Sequence, residues 1–228
     1  MLKTRELFAG LYALEDERVR QFLVIGEERA LLFDAGFADS GVLETVRALT
    51  DLPIDVVMTH GDRDHSGGLG DFGGCRMNEG DWPLVEDESV KLAPLNEGEI
   101  VACDGYRFRV IAIPGHTAGS LAFYDEEKGI LLAGDSVQSG GPIFMFGGHR
   151  DLDAYIASLE KLERLIPADV TVLPCHSACP IDAGFITRDL ADARALRDGA
   201  LASDPHPALP CRVYHGAAVD YLYDGDNR

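Results

Sequence analysis

The sequence predicts an α+β protein in which many short strands alternate with a few helices. Apolar and β-branched residues gather in short runs bounded by Gly, Pro, Asn and Asp, which is typical of strands. The segment Asp151–Ile166 instead repeats its apolar residues at helical spacing, which indicates an amphipathic helix capped by Asp151. A third observation concerns the strand ends, because four of the runs lead directly into His or Asp residues.

The first half of the chain predicts a strand meander followed by a helix and one more strand. Glu27-Glu28 marks a turn in the meander, and Asp34-Ala35-Gly36 closes its third strand. Apolar residues recur at helical spacing through Ser40–Leu49, and we expect Ser40 to be the N-cap. The predicted strands are Leu7–Leu14, Val19–Ile25, Ala30–Asp34 and, after the helix, Ile54–Thr59.

The second half repeats this coarse pattern of strands followed by helices. The acidic segment Glu79–Ser89 is weakly helical and precedes a second antiparallel set of strands. After the helix Asp151–Ile166, a second helix is expected at about Asp182–Leu201. The predicted strands are Glu99–Ala102, Tyr106–Ile113, Leu121–Tyr124, Ile130–Ala133, Asp169–Leu173, Cys211–Tyr214 and Val219–Tyr223.

Composition limits the class of protein. At 228 residues with 46% apolar residues, the chain is long enough for one sizeable domain, which we expect to span residues 1–228. No run approaches the roughly 20 apolar residues of a membrane-spanning helix. The 39 acidic against 20 basic residues give a formal charge of −19, which repels nucleic acid and anionic lipid. We therefore expect a small-molecule substrate and neither a nucleic-acid nor a membrane partner, with the oligomeric state left open.

Cysteine content and the N-terminus indicate the compartment. The five cysteines form an odd set without metal-knuckle spacing, so we expect reduced thiols, with Cys175 as a small buried side chain. The N-terminal residues carry charges but no apolar segment typical of a secretory signal. Both observations favour a cytoplasmic protein.

The segment Thr59–Gly68 is the most informative motif. Side chains two positions apart on an extended chain point the same way, so His60, Asp62 and Asp64 can converge after a strand. His65 then opens the next element. Imidazole nitrogens and carboxylate oxygens are the ligands of Zn²⁺, Mn²⁺ and Fe. The alternative is an ordinary solvated polar turn.

Three later strand ends weaken that alternative. Each is a short β-rich run followed by a small residue or Pro and then by one potential ligand. A single His or Asp after a strand is usually a loop residue, but four such ends indicate one edge that gathers a metal centre. The three additional residues are His116, Asp135 and His176.

In their order and spacing, the motifs His60–His65, Gly115–Thr117, Gly134–Asp135 and His176 resemble those of the metallo-β-lactamase-fold hydrolase superfamily. The resemblance covers most of the chain, from the N-terminal strands to His176 and beyond. It implies a four-layer αββα metallo-β-lactamase-type sandwich made of two similar halves.

The resemblance also implies a site with two divalent metal ions. In the scheme of the family, a metal-bound hydroxide attacks the substrate, and Asp64 orients the water and passes its proton to the leaving group. By position, the first ion would be held by His60, Asp62 and His116, the second by Asp64, His65 and His176, and Asp135 would bridge them.

Asp62 departs from the family pattern, which usually has His at this position. A carboxylate lowers the formal charge of the site by one and supplies a harder ligand, which favours Mn²⁺ or Fe over Zn²⁺. Zinc remains the first expectation from the resemblance, with manganese or iron open. The alternative is that Asp62 turns away and the site is mononuclear.

The sequence therefore predicts a metal-dependent hydrolase acting on a small ester, thioester, lactone or amide. The alternatives are an iron-dependent redox enzyme of the same fold, acting on O₂ or sulfur compounds, and a non-catalytic metal- or ligand-binding protein. The segment Gly140–His149, which follows Asp135, is either a movable cover with an apolar wall or a packed loop with an exposed His149. His206 and His215 lie outside any ligand spacing and are expected to be structural.

Overall fold

A mixed seven-stranded sheet forms the N-terminal part of the structure, a computed structural model that describes residues 1–225. Its strands follow chain order from one edge to the other. The first four pair antiparallel and the last four pair parallel. The strands are β1 Lys3–Phe8, β2 Leu11–Glu15, β3 Arg20–Ile25, β4 Ala30–Phe33, β5 Ile54–Val57, β6 Gly74–Met77 and β7 Lys91–Pro94.

Three further strands and several short helices belong to the same part of the chain. Phe33 on β4 packs edge-on against Phe108 and Phe123, with ring centroids 5.0 Å apart in each pair. These aromatic contacts lie in the core of this part, where all three side chains are fully buried. The elements are β8 Ile100–Cys103, β9 Tyr106–Ala112, β10 Leu121–Asp125, α1 Val42–Leu49, α2 Arg63–Ser66 and the 3₁₀ helices Leu69–Asp71 and Glu79–Leu84.

The C-terminal part contains two long helices and two groups of strands. In one group β11 and β13 pair parallel and β14 adds antiparallel; in the other the order is β12-β17-β16-β15. The elements are β11 Ile130–Leu132, β12 Pro142–Phe144, α3 Leu152–Leu165, β13 Thr171–Leu173, β14 Ile181–Asp182, α4 Gly184–Arg197, β15 Ala202–Pro205, β16 Arg212–His215 and β17 Asp220–Tyr223.

The chain separates into two compact units. The first comprises Met1–Ile111 with Leu121–Lys128, and the second comprises Ala112–Ser120 with Gly129–Arg228. The predicted organisation as one domain over residues 1–228 stays a prediction. Within the described residues, the helices are too short or too polar to span a bilayer.

The α+β class and the main elements agree with the sequence analysis. The helix predicted at Asp151–Ile166 is present as α3, and the Asp151 carboxylate accepts a hydrogen bond from the Ala154 N–H at 2.9 Å. The five cysteines, all within the described residues, form no disulfide with one another, and Cys175 is buried as predicted. The segment expected to be weakly helical contains the 3₁₀ helix Glu79–Leu84.

Several predicted boundaries are wrong. The run Leu7–Leu14 is not one strand, because the chain turns between β1 and β2 at Gly10, whose φ of 76° suits glycine. Ser40 does not cap α1; Gly41 holds the N-cap position, and the Ser40 hydroxyl donates to the Phe37 carbonyl. The helix predicted to reach Leu201 ends at Arg197, and the sequence analysis missed β6, β7, β12, β14 and β15.

Candidate metal centre

The first group of predicted ligands lies where β5 leads into α2. His60 is buried in the connection, and Asp62 is the N-cap of the single helical turn. The Asp62 carbonyl accepts hydrogen bonds from the backbone N–H groups of His65 at 2.9 Å and Ser66 at 2.8 Å. Asp64 and His65 are therefore helical. The side chains of His60 and Asp62 approach each other, as expected for alternation along an extended chain, but the prediction that Asp64 shares this extended geometry is wrong.

A buried network orients the two histidines of this unit. The Asp34 carboxylate accepts hydrogen bonds from the Thr59 N–H and the Thr59 hydroxyl, both at 2.7 Å. It also lies 2.8 Å from Nδ1 of His65, and Nδ1 of His60 lies 2.9 Å from the Thr59 hydroxyl oxygen. Because the carboxylate only accepts, the Thr59 proton points to Asp34, and both imidazoles donate through Nδ1. In this tautomer the Nε2 atom of each ring carries the lone pair that can bind a metal ion.

Both Nε2 atoms lie close to a carboxylate of the same loop. The distance from His60 Nε2 to Asp62 Oδ2 is 3.5 Å, and that from His65 Nε2 to Asp64 Oδ2 is also 3.5 Å. Two ligand atoms about 2.1 Å from one cation are separated by roughly 3.0 to 3.4 Å at octahedral and tetrahedral angles. The donors of the first unit thus have the chemistry and nearly the spacing of metal ligands.

Parallel pairing brings two predicted ligands of the second unit together. Leu132 of β11 is the register partner of Leu173 of β13, and Asp135 and His176 each follow three residues later. The loops start side by side, and His176 Nε2 lies 3.0 Å from Asp135 Oδ2. The sequence indicated both residues from the strands before them, and the register explains why they meet.

His116 reaches Asp135 from a loop held by α3. Gly115 has a φ of 133°, and a Cβ there would lie 2.2 Å from the Tyr155 backbone nitrogen, so only glycine fits. The buried Arg150 guanidinium donates a short hydrogen bond to the His116 carbonyl. These contacts place His116 Nε2 3.6 Å from Asp135 Oδ2, again close to the separation of ligands on one cation. Sequence reasoning missed Arg150, and it gave Asp34 no role beyond closing a strand.

Hydrogen bonds hold the loops next to His116 and His176 in the second unit. Thr117 and Ser120 fasten the His116 loop, since the Ser120 hydroxyl oxygen accepts from the Thr117 N–H at 3.0 Å. Part of the segment Gly140–His149 is strand β12 rather than loop, and the Gly140 carbonyl accepts a hydrogen bond from Ser177, the residue after His176. Whether the segment covers a substrate stays a prediction.

His206 and His215, which were predicted to be structural, both have hydrogen-bond partners. The Nδ1 atom of His206 accepts from the backbone N–H groups of Ala208 and Leu209. His215 lies between the carboxylates of Asp204 and Asp220, and their hydrogen bonds raise its pKa.

A buried acid adjoins the segment that follows Asp135. Asp189 on α4 is fully buried and accepts a hydrogen bond from the Gln138 backbone N–H at 3.0 Å. Burial raises the pKa of this carboxyl to about 8. It is therefore a neutral acid at moderate pH, and the sequence gave no sign of this.

The family described as the metallo-beta-lactamase superfamily matches residues 15–74 and 76–176. The chain belongs to this superfamily. The match ends on His176, the last predicted ligand, and so includes all four strand ends that carry predicted ligands.

Solved structures of the superfamily share the fold. A metallo-beta-lactamase from Pontibacter korlensis has a TM-score of 0.73 at 19% identity, covering 85% of this chain and 99% of its own. The protein TTHA1623, crystallised in a di-iron-bound form, has a TM-score of 0.63 at 25% identity, covering 78% of this chain and 96% of its own. These neighbours confirm the predicted metallo-β-lactamase-type fold.

Curated relatives of this chain are named as hydrolases or thioesterases. A hydroxyacylglutathione hydrolase of Ectopseudomonas mendocina is 31% identical over 53% of this chain and 47% of its own length. One of Aeromonas hydrophila is 30% identical over 84% of this chain and 76% of its own. An acyl-coenzyme A thioesterase, MBLAC2 of Gallus gallus, is 26% identical over 75% of this chain and 79% of its own. The chain spans about half the length of the first two relatives that it matches, at 47% and 46%.

Proposed function

We propose that the chain is a metal-dependent hydrolase of small acyl compounds, with thioesters as the first substrate class to test. The observation that carries the proposal is the set of four His–carboxylate pairs at 3.0 to 3.6 Å on the ligand-bearing loops. The hydrolase and thioesterase names of the relatives favour a thioester over the ester, lactone and amide that the site chemistry also allows.

Donors of imidazole nitrogen and carboxylate oxygen fit zinc, manganese and iron, so the residues present fit the metals that the family implies. When bound, two such ions polarise the substrate carbonyl and make a water nucleophilic at neutral pH. The proposed ligands are those of the sequence analysis: His60, Asp62, Asp64, His65, His116, Asp135 and His176.

Within this site the protein residues orient groups and move a proton. The Asp34 carboxylate and the Thr59 hydroxyl fix the ring orientations of His65 and His60. Asp64 lies at the exposed side of α2, where its side chain keeps 25% of its accessible surface. We assign to Asp64 the transfer of the proton from the attacking water to the leaving thiolate or alkoxide. No Ser or Cys nucleophile is needed.

The test is a substrate panel on protein purified without added metal, with its metal content measured on the same sample. The panel contains a hydroxyacylglutathione, an acyl-coenzyme A, a simple ester, a lactone and a β-lactam. We expect thioester turnover that chelation abolishes and metal restores, and at least a 100-fold loss in Asp64→Asn, within the range for one general acid or base. Metal-loaded protein that cleaves none of the five compounds would contradict the proposal.

A redox enzyme is the second candidate, because one structural neighbour at 25% identity was crystallised in a di-iron-bound form. Carboxylate at position 62 adds an oxygen ligand of the type that suits iron. This candidate requires iron in the purified protein and consumption of O₂ with a sulfur compound. Oxygen-electrode measurements on the same preparation distinguish it from the hydrolase.

A further inference from the structure

A buried carboxylate contacts the peptide between two proposed ligands. Asp81 lies in the 3₁₀ helix Glu79–Leu84 and is completely buried. Its Oδ2 accepts a hydrogen bond from the backbone N–H of Gly61 at 2.8 Å. Gly61 separates His60 from Asp62, so the carboxylate holds the backbone between these side chains.

The 3₁₀ helix packs directly on this peptide. A Cβ at Gly61 would lie 2.9 Å from the Leu84 Cβ and 3.0 Å from both the Cβ and the carbonyl oxygen of Asp81. Such separations leave no room for a side chain. The glycine is therefore needed for the close approach that brings the Asp81 carboxylate to the Gly61 N–H.

The carbonyl group of Gly61 also has a hydrogen-bond partner. The Ser66 hydroxyl, one turn later in α2, donates to the Gly61 carbonyl at 2.9 Å. The helix that carries Asp81 is itself anchored by Asn78, whose side-chain oxygen accepts from the Gly80 N–H at 3.0 Å. With both backbone polar groups of Gly61 held by buried side chains, rotation of the chain between His60 and Asp62 is restricted.

We propose that Asp81 is a positioning residue that holds His60 Nε2 and Asp62 Oδ2 3.5 Å apart, close to the separation of two ligands on one cation. The inference rests on the proposed metal site. Without the carboxylate, the buried Gly61 N–H loses its acceptor and the loop gains freedom, so metal binding must order it again. The effect should therefore appear as weaker metal binding, beyond any general loss of stability.

The experiment measures metal affinity and the unfolding temperature of the metal-free protein in matched variants. Asp81→Ala removes the acceptor, and Asp81→Asn keeps an oxygen that can accept from Gly61. The control is Asp192→Ala in the second unit, because Asp192 is also buried and accepts three backbone hydrogen bonds, from Ala217, Ala218 and Val219. Affinity for Zn²⁺ and Mn²⁺ is obtained by competition with a chromogenic chelator.

We expect Asp81→Ala to bind metal about 10- to 100-fold more weakly, the range for residues that support metal ligands. Asp81→Asn should recover most of the affinity, and Asp192→Ala should lower the unfolding temperature without changing the affinity. Wild-type affinity in Asp81→Ala would overturn the inference. If that variant does not fold, Gly61→Ala tests the same contact, and wild-type affinity there would also overturn it. If the wild-type protein binds no metal, that result would instead contradict the proposed metal site.

Discussion

The Nδ1 atom of His65 lies 2.8 Å from Oδ2 of Asp34, and neither side chain has any exposed surface. The same carboxylate accepts two hydrogen bonds from Thr59, which in turn contacts Nδ1 of His60. One buried acid therefore sets the ring orientation of two proposed ligands, one directly and one through a hydroxyl. Asp34 adopts a φ of 67°, a backbone region in which Asp and Asn are better tolerated than most residues.

Asp34→Asn separates the hydrogen-bond chemistry from the backbone conformation. In either orientation, the amide NH₂ faces a donor, because the Thr59 N–H, the Thr59 hydroxyl and His65 Nδ1 donate to the two carboxylate oxygens. We expect metal affinity to fall about 10- to 100-fold and the free energy of unfolding to fall by about 1 to 3 kcal/mol. Chelator competition and urea unfolding measure the two effects. Unchanged affinity would show that the His65 tautomer does not depend on Asp34.

Local patterns in the sequence predict the strands that carry the proposed ligands. The apolar residues of β5, β11 and β13 predict these strands, and the His and Asp residues after them are the predicted ligands. Such signals are local, because a strand and the loop after it are contiguous in the chain. The helix α3 was equally clear, since its apolar face and its cap are both local features.

What the sequence did not reveal depends on contacts between distant residues. Asp34 acts on Thr59 and His65, which are 25 and 31 residues away, through the parallel pairing of β4 with β5. Nothing in the run around Asp34 distinguishes it from a residue that only ends a strand. The helical state of Asp64 depends on a single turn, too short for any periodic pattern.

Replacing Asp135 tests the proposed bridge. Its Oδ2 lies within 3.6 Å of both His116 Nε2 and His176 Nε2, so Asp135→Ala removes the oxygen that the two histidines share. We expect two metal ions per wild-type chain, the loss of at least one in the variant and the loss of turnover. The matched control is Asp169→Ala, which removes an exposed carboxylate before β13. Elemental analysis measures the number of metal ions per chain, and the thioesterase assay measures turnover. Wild-type metal content in Asp135→Ala would refute the proposed bridge.

The raised pKa of Asp189 should make the stability of the protein depend on pH. Its pKa is about 8 in the folded protein, against about 3.9 when unfolded. Between these pH values, Asp189 is ionised in the unfolded chain and protonated in the folded chain. The contribution of Asp189 to the free energy of unfolding is therefore complete below about pH 4 and is lost as the pH rises towards 8. Asp189→Asn keeps an oxygen that can accept from the Gln138 N–H and is neutral in both states, so it should lack this loss.

Urea unfolding from pH 5 to pH 9 measures this difference. The stability of wild type relative to Asp189→Asn should fall by up to about 1.4 kcal/mol per pH unit below pH 8. Asp198→Asn, at the exposed C-terminal end of the same helix, is the control and should follow the wild type. Parallel curves for wild type and Asp189→Asn would mean that the folded protein does not hold Asp189 neutral.

Asp62→His tests the prediction that Asp62 takes the place of the histidine ligand that the superfamily usually has. Asp62 Oδ2 lies 3.5 Å from His60 Nε2, a separation that fits two ligands on one ion. Histidine replaces an oxygen ligand by nitrogen and raises the formal charge of the site by one, so preference should shift from Mn²⁺ or Fe towards Zn²⁺. Competition between Zn²⁺ and Mn²⁺ for the metal-free proteins measures the shift, for which we expect about tenfold or more in the affinity ratio. Glu86→His, which alters an exposed carboxylate paired with Arg63, controls for the change in net charge. An affinity ratio that stays the same in Asp62→His would mean that Asp62 does not ligate, which leaves a mononuclear site as the alternative.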